Sequence, residues 1–230
     1  KLGTELDGLA AEPARAAVLM QDATILAMAT LAEADDPNIG NHLLRTQACF
    51  TALARELRFH AGFGAELTDA NIALMARAAP LHDIGKATVP EAILKKPGRL
   101  TADEFNVMKR HTVQGRDAIA GVEKTLGTTT PFLRYAREIT WSHHEKWDGS
   151  GYPEALEGVQ IPLAARVMAV VDVYDALISK RSYKPAFTHE TAVELIRQGR
   201  GEHFDPDIVD AMLVIEARLR AIAAEFTDPE

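Results

Sequence analysis

Eight histidines are spread along 230 residues, and their placement is what most suggests chemistry in this sequence. His82 and Asp83 are adjacent, His143 and His144 are adjacent, and His42, His111 and Asp172 each stand 28 to 40 residues from the next member. Imidazole and carboxylate together suit Fe, Mn, Ni or Zn, and geometry chooses among them. Donors so far apart fit delivery by successive helices of a bundle to one interior point, whereas a local zinc finger takes its ligands from close pairs. Each residue also has an ordinary reading: a lone His60, His189 or His203 belongs on a surface or in a satisfied core. Asp172 is different, because it lies in the largely apolar run 163–178, where an unpaired carboxylate is costly and a metal or cation must neutralise it.

The elements that must position these residues read as helices nearly throughout, with apolar residues recurring every three or four positions. The pattern predicts a helix from His42 to His60, ended by Gly62 and Gly64, and another capped by Asp69 that runs towards His82. Thr101 with Glu104 forms a capping box ahead of His111. Pro131 and Pro162 fit first turns, Thr188 a cap, and Asp205-Pro206 the start of a last helix at about 206–226. Residues 86–100 and 147–162, rich in proline and glycine, read as ordered loops. Residues 1–35 read as an Ala-rich linker or packing helix ahead of a catalytic domain at 36–230. The fold class expected is therefore all-α, a helical bundle with its metal site in the interior.

Taken in order, His82-Asp83-Ile84-Gly85-Lys86, His111-Thr112, His143-His144-Glu145, Asp148-Gly149-Ser150-Gly151-Tyr152-Pro153 and Asp172-Val173-Tyr174-Asp175 resemble the HD-GYP family over roughly residues 36–210. That family is a branch of the HD phosphohydrolases whose members hydrolyse the bacterial second messenger cyclic di-GMP. The resemblance implies an HD-type bundle with two divalent metals, Fe, Mn or Ni, with Zn as a further option. His42, His82 and Asp172 would hold one metal, His111, His143 and His144 the other, and Asp83 would bridge them. Three-metal members carry a glutamate four residues before the first histidine; Asn38 stands there in this chain, so two metals are expected.

A hydroxide shared by two such ions would attack the phosphodiester, giving pGpG and onward GMP. Lys86, in the family's lysine position, would donate to a phosphate oxygen as charge builds. Arg181 and Lys184 stand where the family binds the dinucleotide's phosphates, and the same two could equally be a solvated helix end. Tyr152 offers a flat face to a guanine, and its Gly-Tyr-Pro loop is the one through which the family is proposed to meet GGDEF-type cyclases. Asp148 fits a turn former, and Asp175 a group that orients a ligand from behind. The rival readings are a general HD nucleotide phosphohydrolase and a silent cyclic di-GMP sensor or partner-binding module.

Composition agrees with a folded enzyme of small anionic substrates. Hydrophobic residues make up 47% of the chain and the net charge is −8, which argues against a duplex nucleic-acid partner. Residues 39–201 nevertheless hold 21 basic against 18 acidic side chains, so the acidity sits at the ends. A single cysteine, Cys49, forms no intrachain disulfide and fits a cytoplasmic setting. The run 163–178 is too short and too charged to span a bilayer, so no membrane segment is expected. The chain opens on Lys1, and an upstream regulatory domain is expected.

Overall fold

The computed structural model describes residues 2–33, 39–180 and 186–227. The expected boundary at residues 35 and 36 lies outside the described residues, as do Asn38, Arg181 and Lys184. Among the described residues there is no strand, only the isolated bridges Asp148–Glu157 and Arg200–Phe204. The helices are α1 (Leu2–Ala32), α2 (Ile39–Leu57), α3 (Asp69–Ala78), α4 (Glu91–Leu94), α5 (Ala102–Leu126), α6 (Pro131–Ser142), α7 (Leu163–Ile178), α8 (His189–Gln198), α9 (Pro206–Val214) and α10 (Glu216–Glu225). The fold is all-α, as expected.

Helix α7 is apolar on most of its faces and so runs through the middle, packed by α2, α6, α8 and α9. Its Val167, Met168 and Tyr174 share one buried cluster with Phe50 and Leu53 of α2 and Tyr135 and Ile139 of α6. Side chains of this size each contribute about 1.5–3 kcal/mol when buried, which fixes the central helices as a frame for whatever they carry.

Local chemistry sets where each helix starts and stops. The capping box forms, with Thr101 N donating to Glu104 at 2.7 Å and Glu104 N to Thr101 Oγ1 at 3.3 Å. Thr188 caps α8, and Pro131 sits in the first turn of α6. Thr68, rather than Asp69, caps α3 by accepting from Asn71 N at 3.2 Å. Helix α3 stops at Ala78, short of His82, because Pro80 has no N–H to donate and the chain tightens into a 3-10 turn, Ala79–Leu81. Helix α2 likewise ends at Leu57 rather than His60, and Pro162 lies at the N-cap of α7 rather than inside it. The single last helix expected at 206–226 is two helices that break at Ile215, a point marked by neither proline nor glycine.

Two close approaches tie the site-bearing segments to the bundle. Gly85 lies so tightly on α5 that a Cβ there would stand 1.9 Å from the His111 carbonyl oxygen. Helix α1 lies on the bundle through Ile25, Ala29 and Ala32, and Arg77 Nε donates to its Asp22 at 2.6 Å. The α1 window Arg15–Ala32, mean hydropathy 1.2, is long and apolar enough to cross a membrane by length and composition, a test that core helices of soluble proteins also pass. It qualifies because Arg15 and Asp22 are its only charges.

Candidate metal centre

His42 comes from α2, His82 and Asp83 from the turn after α3, His111 from α5, His143 and His144 from just beyond α6, and Asp172 from α7. They meet at one interior place. One ligand atom from each of Asp83, His111, His143 and His144 lies within 4.8 Å of the others, and so do atoms of Glu33, His42 and His82. Asp172 Oδ1 is 3.8 Å from His82 Nε2, beside the second group.

The hydrogen bonds around the rings say what this cluster fits. His82 Nδ1 lies 3.0 Å from Ala79 O, His111 Nδ1 2.7 Å from Met108 O, and His143 Nδ1 3.0 Å from Ile139 O. A carbonyl only accepts, so each Nδ1 carries its proton and donates, which turns an Nε2 lone pair inward. The Nε2 atoms of His82, His111 and His143 are buried without a hydrogen-bond partner, as is Asp83 Oδ1. Asp83 Oδ1 stands 3.2 Å from His111 Nε2 and 3.7 Å from His143 Nε2. Lone pairs facing lone pairs repel, and a divalent cation among them converts that repulsion into coordination. The donor set fits a metal.

The electrostatics point the same way. Burial lowers the pKa of His82, but Asp83, Asp172 and Glu33 outweigh it and push it up to about 10, a pull towards positive charge that a cation would satisfy. Burial holds His143 below its ordinary value and His144 well below, which keeps both as neutral donors. Burial would raise Asp83, but Lys86 and His82 hold its carboxyl well below the usual carboxylate range.

Supporting groups brace this arrangement. Asp175 accepts from His42 Nδ1 at 2.6 Å, from Arg45 Nε and from Arg45 Nη2 at 3.0 Å, so it orients the His42 ring from behind. Asp175 is the fully buried carboxylate of α7, and buried Arg45 neutralises it. The side chain of Asp172 is 18% exposed, so burial presses harder still on Asp175, whose need for a cation the sequence did not single out. Lys86 Nζ pairs with Asp83 and, at 3.0 Å, with Glu33 Oε2.

The 147–162 loop closes one side. Buried Glu145 accepts from Glu154 N at 2.7 Å and Leu156 N at 3.1 Å, and Gly151 packs on the Glu145–Lys146 backbone where a Cβ would meet Lys146 N at 2.3 Å. This holds Tyr152 stacked on His144, ring centroids 4.8 Å apart, with Phe105 at its edge and the Lys109 ammonium 5.8 Å from its centroid. Asp148 accepts from Ser150 N at 2.9 Å, the turn role expected of it. Sequence reasoning missed Glu33, Phe105, Lys109 and the clamp role of Glu145. Only Glu145, next to His144, carried a positional hint; Glu33 reads as one of several acidic residues around Asp35 and Asp36.

The HD domain family matches residues 28–208. A cyclic di-GMP phosphodiesterase of Vibrio cholerae serotype O1 is 50% identical over 208 residues, 90% of this chain and 42% of that protein. The cyclic di-GMP phosphodiesterase response regulator RpfG of Xanthomonas campestris pv. campestris is 42% identical over 180 residues, 77% of this chain and 46% of that one. The chain thus spans less than half the length of these relatives. The crystal structure of a cyclic GMP-AMP specific phosphodiesterase of V. cholerae, V-cGAP3, superposes with a TM-score of 0.58 at 19% identity, over 87% of this chain and 50% of that one, a likeness of fold. Since the matched region runs through every histidine and aspartate of the metal centre, the chain belongs to the HD domain family, in its HD-GYP branch.

Proposed function

We propose that this chain is the catalytic unit of a metal-dependent phosphodiesterase that hydrolyses cyclic di-GMP to pGpG and onward to GMP. The observation that carries the reading is the set of buried, unpartnered Nε2 atoms turned towards Asp83. The names of the relatives at 42% and 50% identity support the substrate. In this reading His42, His82 and Asp172 would hold one ion, His111, His143 and His144 the second, and Asp83 would serve both. Fe, Mn or Ni suits these donors best, with Zn as a further option. Two such ions supply a water of lowered pKa and positive charge for the phosphate oxygens.

The chain's own groups do the rest. Burial works to lower the pKa of Lys86, but Asp83 and Glu33 outweigh it and raise it, so the side chain stays cationic and can donate to a non-bridging phosphate oxygen. Tyr152, held against His144, forms an aromatic wall for a guanine. Arg181 and Lys184 are assigned to the phosphates on sequence alone. A cytoplasmic location, an upstream regulatory domain and GGDEF-type partners at the Gly-Tyr-Pro loop belong to the same proposal.

The test reads metal content and nucleotide products on one anaerobically purified sample. About two metals per chain with pGpG formation is the expected result, and His82→Ala with Asp83→Ala should lose both. Full turnover in that double variant overturns the two-metal mechanism. Tight cyclic di-GMP binding without product moves the chain to a sensor role, and faster cleavage of 3'3'-cGAMP moves its substrate.

A further inference from the structure

We infer that Glu33, the residue that follows α1, is an acidic ligand of the metal held by His42 and His82. The inference rests on reading the site as a metal centre and adds to it a donor from outside the five motifs. Glu33 contributes an atom to the same 4.8 Å group as His42 and His82. Its side chain is only 10% exposed, and its two oxygens are differently placed: Oε2 accepts from Lys86 Nζ at 3.0 Å, while Oε1 is buried with no hydrogen-bond partner.

A buried carboxylate oxygen with nothing to accept from costs free energy unless a cation meets it. The imidazoles of His42 and His82 already face the same point, with Asp172 beside His82. Adding Glu33 gives that ion up to three carboxylates, from Glu33, Asp83 and Asp172, beside two histidines. An oxygen-rich set of more than four donors disfavours tetrahedral Zn and favours Mn or Fe. Asn38, the neutral residue at the family's extra-ligand position, offers no comparable charge.

The experiment titrates the full chain with Mn²⁺ after chelator treatment, following both binding steps by calorimetry, with circular dichroism as the check on folding. Glu33→Gln keeps the shape and removes the charge, and it should weaken one step by at least about tenfold while leaving the other unchanged. Lys86→Met separates ligation from ion pairing: if Glu33 is a ligand, removing its ammonium partner leaves Mn²⁺ affinity unchanged or higher. Wild-type affinity at both steps in Glu33→Gln overturns the inference, and so does an equal loss of the same step in Lys86→Met. Should Glu33→Gln fail to fold, Glu33→Asp draws the carboxylate back by one methylene and must show the same selective weakening; unaltered binding there refutes the role. Mn²⁺ binding by a wild-type chain that cleaves no cyclic dinucleotide refutes the phosphodiesterase, and the Glu33→Gln and Lys86→Met titrations still decide the ligand. A wild-type chain that binds neither Mn, Fe nor Ni overturns both.

Discussion

Gly85→Ala adds one methyl group, touches no proposed ligand side chain and is expected to dismantle the metal centre. The new Cβ would lie 1.9 Å from the His111 carbonyl oxygen, 2.7 Å from Gly115 N and 2.8 Å from the His111 carbonyl carbon. All three are backbone atoms of α5, so no rotamer change relieves the contact. Reaching even the 3.0 Å below which Cβ contacts are essentially never seen takes a separation of about 1.1 Å between the His82–Thr88 segment and α5. His82 and Asp83 lie on one side of that gap and His111 on the other. Metal–ligand distances tolerate only about 0.2 Å, so the two sides cannot grip the same ions. Elemental analysis and cyclic di-GMP turnover, with far-UV circular dichroism to verify helix content, provide the assay. A helical Gly85→Ala protein that retains both metals and wild-type turnover would falsify the argument from close approach.

Two further outcomes follow from buried charge. Asp175→Asn removes the counter-charge beside buried Arg45, and breaking a buried pair from one side costs about 3–5 kcal/mol; urea unfolding should show a loss of that order, and one below about 1 kcal/mol contradicts the pairing. His203 has its pKa lowered to about 4, mainly by burial. Between pH 6.5 and 4 the unfolded chain binds this proton and the folded chain does not, so folding stability falls as pH drops through that window. The loss is confined to that acidic window and is almost nothing at pH 7. His203→Gln should remove that acid-dependent increment, and parallel stability curves for variant and wild type would rule it out.

What could be read from the sequence was whatever local chemistry decides. Thr101, Thr188 and Asp205 cap helices because their side chains answer backbone donors two or three residues away, and those short distances are visible in the chain. The spacing of His42, His82, His111, His143 and His144 also pointed to delivery from well-separated parts of the chain. Long-range packing left no such mark. The break at Ile215 has no punctuating residue. The apolar run of α7 points to Asp172 as its buried carboxylate, because the run alone cannot show that Arg45, 130 residues away, pairs with Asp175. Glu33 stayed hidden for the same reason: its partner Lys86 is 53 residues distant, and nearby Asp35 and Asp36 make it look like part of a solvated acidic stretch.

With Glu33 as an ion ligand, as inferred above, the docking of α1 would give the metal centre a mechanical input. Helix α1 presses Ile25, Ala29 and Ala32 on the bundle while Leu19, Met20 and Leu31 face outward, and the chain leaves it directly at Glu33. A carboxylate at the end of a helix behaves like the tip of a lever: rotating or lifting the shaft moves the tip away from Lys86 and the His42–His82 pair. Ion occupancy and helix position then belong to one thermodynamic cycle, and coupling of that kind runs equally in both directions. A partner that grips the outer face of α1 would change how firmly the ion is held, and loading the ion would stiffen α1 against that partner by the same free energy.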